Sequence, residues 1–474
     1  MVPKAAATAH QAILARKRLA RYHWLGMLEG LSGADRRRLA GLVAVGFLLR
    51  IGVVAVFQAW NRPPDWNFAG ELGAIAKALA EGQGWANPFD VESGPTAWHP
   101  PGWTGFMALV FSVFGIRTPA SAFTLQLILS AASALTAVPL FLLGRRIFGV
   151  TAAWAGAALW GVYPNAVWYV MTSVESAAGV PLLILTLLYQ LDCLNDEKPV
   201  SSYIKYGALL GGFALFRVTL LGLAPGIAAV LWFRSRLPLQ DRAWRLALLG
   251  GTAALMLSPW IVRNWVVMGK PGLRSNLGVE LRIANSELRW RAFRDPSAEQ
   301  NRFLLHPSGS KKELDRYREV GETAYVSEAM ADFRSHFAAH PERMAELTAY
   351  RIAAFWLGHF RRPSVEYEGN LNTGLSLSVL KRIWAPAASL LGLAGILLAW
   401  RRGLRIGAAV IAPILLPLPY YFTNVFGRYR IEVDSAMVLF GGYVAAELFL
   451  MALPPAWRGA AQPTAEPAPE SANR

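Results

Sequence analysis

Arg36-Arg-Arg-Leu-Ala-Gly-Leu-Val-Ala-Val-Gly-Phe-Leu-Leu-Arg-Ile-Gly-Val-Val-Ala-Val-Phe-Gln-Ala-Trp60 carries the two signals that decide the architecture. From Leu39 to Trp60 the run has the length of a membrane span, since about 20 apolar residues cross a hydrocarbon layer of about 30 Å. The arginine triplet in front of it marks the cytoplasmic end, because Lys and Arg accumulate on that side. The segment that follows, with Asn61, Pro63, Pro64 and Asp65, is polar and therefore lies on the opposite face.

Composition extends this reading to the whole chain. Of 474 residues, 54% are hydrophobic and only 16% charged, against about 25% charged in soluble domains. That excludes an ordinary cytosolic globular enzyme. The net charge of +16 fits nucleic acid, anionic lipid or positive-inside bias, and its distribution chooses among them. The first 50 residues hold nine Lys/Arg against Glu29 and Asp35, and the pairs Arg145/Arg146, Arg234/Arg236 and Arg401/Arg402 sit between apolar runs. Clusters so placed record membrane topology, and no nucleic-acid partner is expected. The single cysteine, Cys193, permits no internal disulfide. The charged stretch before Leu39 is too long for a cleavable signal peptide.

Working outward, apolar runs and flanking charges give about ten spans: 39–60, 119–143, 151–163, 176–194, 206–216, 220–233, 243–262 with a break at Pro259, 375–400, 406–422 and 435–453. The chain is expected to be an all-α polytopic inner-membrane protein with both termini in the cytoplasm. Residues 1–38 form a basic cytoplasmic arm and 39–268 an N-terminal transmembrane module. Its first external loop, 61–118, carries interfacial helices at Glu71–Ala80 and Gly102–Gly115. Residues 269–374 form a small extracytoplasmic α-rich domain, in which 269–345 balance 13 Lys/Arg against 11 Asp/Glu. Residues 375–453 are the C-terminal transmembrane helices, and 454–474, rich in Ala, Pro and Glu, a disordered cytoplasmic tail.

With this topology the unusual polar residues gather on the outer face. Asp65 and Glu71 follow the first span; a carboxylate there is either a helix-start acid or a general base tuned by partial burial. Gly94-Pro-Thr-Ala-Trp-His-Pro-Pro-Gly102 is a rigid loop with His99 at its apex. Glu175, at the mouth of the fourth span, would be costly unless solvated, paired or coordinated. Arg263-Asn264 ends the seventh span, and Arg428 and Arg430 lie between the last two. Arg217 occupies an external turn. Each arginine alone reads as an interfacial anchor; four together on the face that depletes arginine suggest a shared anionic ligand, to which guanidinium forks are suited. Asp65, Glu71 and Glu175 could offer oxygen ligands to a divalent ion, but their spacing is no ligand motif and no metal is assigned.

The ordered set Gly70-Glu71, Gly94-Pro-Thr-Ala-Trp-His-Pro-Pro101, Leu109-Val-Phe111, Gly144-Arg-Arg-Ile-Phe-Gly149, Glu175, Pro259-Trp260 with Arg263-Asn264, and Arg428-Tyr429 resembles the GT-C glycosyltransferases. It is most similar to the family-39-like bacterial group related to protein O-mannosyltransferases and lipid A aminoarabinose transferases. The resemblance implies a GT-C-type helix bundle with its site on the outer face. It also implies transfer of a sugar, with inversion, from a polyprenyl-phosphate carrier to a lipid, glycan or protein acceptor. A first-loop acid serves as base there; Glu71 matches that position, with Asp65 the alternative, because Phe68-Ala-Gly-Glu71 lacks the paired acidic signature of many relatives. His99 stands where relatives carry Lys or Arg against the carrier phosphate. Arg263 and Arg428 match phosphate-binding positions, Arg430 and Arg217 less directly, and Glu175 would position the acceptor, orient a cation or merely cap the mouth of its span. Tyr317 and Tyr325 of the external domain are candidate acceptor contacts. The competing readings are a carrier-linked sugar transporter, which would place polar broken helices at mid-bilayer, and a non-catalytic subunit of an envelope assembly.

Overall fold

The computed structural model describes residues 30–61, 68–172, 177–295, 304–358 and 375–454; Asp65, Glu175 and the C-terminal tail lie outside them. The first half runs α1 (Gly33–Val56), α2 (Gly70–Ala80), α3 (Pro101–Phe114), α4 (Pro119–Leu135), α5 (Ala137–Phe148), α6 (Val150–Val162), α7 (Pro164–Trp168) and α8 (Val180–Cys193). Then come α9 (Val200–Ala214), α10 (Ala224–Arg234) and α11 (Leu239–Met268). Five shorter helices follow: α12 (Leu277–Asn285), α13 (Glu287–Arg294), α14 (Lys311–Val320), α15 (Glu322–Ala339) and α16 (Pro341–Leu357). The chain closes with α17 (Leu375–Arg401), α18 (Gly407–Leu415), α19 (Leu418–Phe422) and α20 (Gly427–Ala452). The described residues contain no strand beyond one isolated bridge, Ala86 to Pro95.

Every apolar run read from the sequence is helical. Among the described residues, five stretches are long and apolar enough to cross a membrane by themselves: Gly33–Val56, Pro119–Phe148, Leu239–Met268, Ile383–Arg401 and Gly427–Ala452. Small residues let the helices approach closely. A Cβ on Gly207 would lie 2.2 Å from the Leu249 carbonyl oxygen, and one on Gly211 2.6 Å from that of Ala253, so α9 and α11 meet backbone to backbone through a Gly-x-x-x-Gly face. Helix α20 is central: from Tyr429 to Tyr443 every residue is buried, and Gly442 abuts Gly156 of α6.

Three expectations are corrected. Pro259 does not break its span; α11 continues through it to Met268. The carbonyl that proline leaves without a donor is Leu255, and the Ser258 hydroxyl donates to it at 2.8 Å, the repair that makes proline tolerable in buried helices. The Gly427-Arg-Tyr-Arg430 motif is not a turn between spans but the first turn of α20. Arg50 does not belong to the basic flank: it is fully buried within α1, donating to Ser133 Oγ and to the carbonyls of Gly46, Gly161 and Trp160.

The two ends of the bundle differ in chemistry. Near the start of α11, Arg245 donates to the carbonyls of Asp196 and Lys198, while Arg146 and Arg234 both pair with Asp192. At the other end of α11 sits a cap made of α2, the 85–99 loop and α12 to α16. It has its own small core, in which Ile75 of α2 and Trp98 of the first loop pack with Val279, Ile283, Tyr317, Tyr325 and Ala329. The first loop and the later helical segment, distant in sequence, therefore fold as one unit.

Candidate functional site

Glu71 stands in the first turn of α2, whose apolar side, Leu72, Ala74, Ile75, Ala76 and Ala78, is buried. The packing fixes the helix and leaves the carboxylate at its rim, partly exposed. Ser308 Oγ donates to Glu71 Oε1 at 3.1 Å, and His306 Nε2 lies 3.7 Å from the same oxygen. Burial acts to raise the Glu71 carboxyl, but the electrostatic pull of His306 and of His99, with the Glu71 backbone N–H and the Ser308 hydroxyl, holds it below the usual carboxylate range.

The neighbouring residue, Leu72, lines a narrow cleft together with His99, Trp103, Arg217, Thr219 and Arg274. The cleft opens against the N-terminal end of α3, where the helix dipole favours an anion. Arg217 reaches it from the turn after α9. Its Nε donates to Glu432 Oε1 at 2.7 Å, its Nη2 to Tyr420 OH at 3.2 Å, and its guanidinium lies 5.5 Å from the centre of the Tyr429 ring. The same ring holds Arg428 at 5.2 Å, so Tyr429, stacked on Tyr420 at 4.4 Å, gathers two cations at the head of α20. Arg274, which the sequence did not single out, is aimed by a bond from its Nε to the Trp98 carbonyl at 3.1 Å.

The remaining candidates bond to groups within the protein. Arg263 donates to the carbonyls of Thr96 and Trp85, at 2.8 and 2.9 Å, and to the Asn264 side chain, while Asn264 donates to the Gly272 carbonyl. Arg263 thereby ties the first loop to the end of α11, and Asn264 ties the segment after α11 back onto it. Arg430 is spent inside the bundle, on Asp434, Ser389 and the carbonyls of Phe355, Trp356 and Ala385. A guanidinium has five N–H donors, and a phosphate contact by Arg430 is set aside because its neighbours take them. Tyr317 and Tyr325 are buried in the cap core, Tyr317 donating to Glu322 and Tyr325 to Glu313.

Sequence reasoning missed Glu322, His306, Ser308, Glu432 and Asp434. Glu322, 3% exposed, receives the Thr96 hydroxyl, the Ala97 N–H at 2.8 Å and the Tyr317 hydroxyl at 2.7 Å, and so fastens the loop that carries His99. Glu432 and Asp434 were visible in Glu432-Val-Asp434, two acids at the start of an apolar run. Among the described residues no three His, Cys, Asp or Glu side chains converge as a metal site.

Residues 98–262 match the model of the dolichyl-phosphate-mannose-protein mannosyltransferase family. The apo oligosaccharyltransferase of Archaeoglobus fulgidus superposes with a TM-score of 0.51 at 13% identity, over 91% of this chain and 52% of that one. The chain has the fold of the GT-C membrane glycosyltransferases. This chain thus spans about half the length of the oligosaccharyltransferase with which it shares the GT-C fold. ArnT of Cupriavidus metallidurans bound to undecaprenyl phosphate aligns over 90% of this chain and 82% of that one, at 15% identity and a TM-score of 0.35. No curated protein sequence matches.

Proposed function

We propose that this GT-C protein is a glycosyltransferase that moves a sugar from a polyprenyl-phosphate carrier to an acceptor hydroxyl, with inversion, on the extracytoplasmic face of the plasma membrane. The observation that carries the reading is a cleft lined by Leu72, His99, Arg217 and Arg274, with Glu71 next to Leu72 on α2 and its carboxyl under the electrostatic pull of His99. The proposed base and the proposed cations come from elements that meet around α2, α3 and the end of α9.

In this reaction the bond between the anomeric carbon and the phosphate oxygen breaks, and its electron pair leaves with the phosphate. The acceptor oxygen forms the new bond from the opposite side, and its proton passes to Glu71. Arg217, Arg274, His99 and Arg428 are the groups proposed to meet the phosphate; fixed cations in a desolvated site stabilise the growing charge of the leaving group. Arg263, with Asn264 accepting one of its N–H groups, holds the loop that bears His99. Asp65 and Glu175 keep their proposed roles as alternative base and acceptor-side acid. The acceptor is a lipid, glycan or protein that reaches the cap.

The test is a transfer assay with purified protein across a panel of polyprenyl-phosphate hexoses and pentoses, wild type against Glu71→Gln. Transfer by wild type and a loss of at least about a hundredfold in the variant are expected for removal of a general base. Full transfer by the variant moves the base to Asp65, and no transfer from any donor by wild type overturns the enzymatic reading.

A further inference from the structure

The turn Leu305-His306-Pro307-Ser308 comes from the cap, more than 200 residues after Glu71 in the chain, yet it supplies two groups that approach the Glu71 carboxylate. The imidazole of His306 is fixed in orientation: its ring meets Phe89 and Trp98 edge-on, each with centroids 5.8 Å apart. Its Nδ1 accepts the Ser308 backbone N–H at 3.0 Å. A ring nitrogen that accepts carries no hydrogen, so in the neutral ring the proton resides on Nε2, the atom that faces Glu71 Oε1. The Ser308 hydroxyl donates to that same oxygen, which is the geometry an acceptor hydroxyl must adopt to surrender its proton.

We propose that the 306–308 turn is the acceptor-side wall of the site, in which His306, its Nε2 3.7 Å from Glu71 Oε1, orients the carboxylate electrostatically and the Ser308 hydroxyl holds the place of the acceptor's hydroxyl. The inference rests on Glu71 acting as the base. His306 is a positioning residue: it touches the base and not the reacting atoms. The groups that face Glu71 are His306 and Ser308 from this turn and His99 from the first loop.

Two measurements on the full-length protein decide the matter. The first needs no substrate: nitrogen NMR of protein labelled at histidine, with the His306 signals identified by their loss in His306→Gln. The expected result is a protonated Nε2 and an unprotonated Nδ1, with the Nε2 signal displaced in Glu71→Gln. A proton on Nδ1, or an Nε2 signal indifferent to Glu71→Gln, overturns the proposal. The second uses the polyprenyl-phosphate sugar that wild type accepts best and an alkyl alcohol as acceptor. His306→Ala should lower kcat by about ten- to a hundredfold, the scale for loss of an orienting partner, and move the acid limb of the pH profile upward. His306→Gln, which keeps an N–H at the corresponding position, should recover most of kcat. Ser308→Ala should lower KM for the alcohol. Unchanged kcat and an unmoved acid limb in His306→Ala overturn the proposal while wild-type transfer leaves the enzymatic reading standing; no transfer by wild type overturns both.

Discussion

Arg217 Nη2 lies 2.6 Å from Glu432 Oε1, with the carboxylate fully buried and the guanidinium nearly so. The pair joins the turn after α9 to the first turns of α20, and Thr219 and Tyr420 supply the carboxylate's remaining donors. Removing one member of a buried pair strands the other, which costs about 3–5 kcal/mol, whereas replacing both with apolar groups of similar volume is often neutral. Arg217→Ala and Glu432→Ala should each lower the thermal unfolding temperature in detergent markedly. Arg217→Met combined with Glu432→Leu should restore most of it, without restoring transfer, since the cleft then lacks its cation. Restoration of both would show that Arg217 serves stability alone.

The depressed Glu71 carboxyl carries a pH signature. Burial opposes ionisation, but His306, His99, the backbone N–H and the Ser308 hydroxyl outweigh it. A carboxyl lowered in the folded state contributes stability that is fully present above its unfolded value and lost as pH falls through the folded one. Transfer should therefore persist as pH is lowered through about 4.3, the ordinary glutamate value, as far as the fold survives. The measurement is kcat against pH, paired with thermal unfolding of wild type and Glu71→Gln. An acid limb in wild type at or above the ordinary glutamate value would count against Glu71 as the titrating base.

Glu322 works at a distance from the chemistry. It receives the Thr96 hydroxyl and the Ala97 N–H on one side and the Tyr317 hydroxyl on the other, linking the His99 loop to α14 and the head of α15. Glu322→Ala frees that loop and leaves Tyr317 without its acceptor, at a cost of about 1–3 kcal/mol for the unsatisfied group. Displacement of about 1 Å at a site can cost a hundredfold in rate. Turnover should fall by more than tenfold while the bundle stays folded, as read by kcat and by unchanged helical circular dichroism. Wild-type turnover in this variant would remove the loop anchor from the account of the site.

The bundle was legible because a span's length and its flanking charges are local properties, and every apolar run became a helix. Pro259 was misread because the donor that rescues its helix, Ser258, acts on a carbonyl three residues back, a detail of rotamer that composition does not carry. Glu71 and His99 could be found because each sits in a short distinctive segment. His306 and Ser308 could not: they reach Glu71 only through the shared core of Ile75, Trp98, Val279 and Tyr317, which joins two segments far apart in the chain. The arginines divide for the same reason. The outer-face position expected from the sequence singles out Arg217, Arg263, Arg428 and Arg430 alike, but only neighbours in space tell which of them is consumed by the protein's own carbonyls.

Arg428 and Arg430 offer the sharpest separation of those two roles, since they are two residues apart on one helix and point into different surroundings. Arg430 is 4% exposed and its donors meet Asp434, Ser389 and three carbonyls drawn from α16 and α17. Arg430→Ala strands Asp434, whose other contacts are the Tyr163 hydroxyl at 2.6 Å and the Asn165 amide at 3.3 Å, and detaches the end of α16 from the bundle. It should destabilise by about 3–5 kcal/mol and reduce the yield of folded protein. Arg428 is partly exposed beside the rings of Phe426 and Tyr429, so Arg428→Ala should leave the unfolding temperature within a few degrees of wild type and raise KM for the proposed polyprenyl-phosphate donor. Arg428→Lys should recover only part of the loss, because a point charge lacks the planar fork that fits phosphate oxygens. A large stability loss in Arg428→Ala with donor KM unchanged would reverse the two assignments.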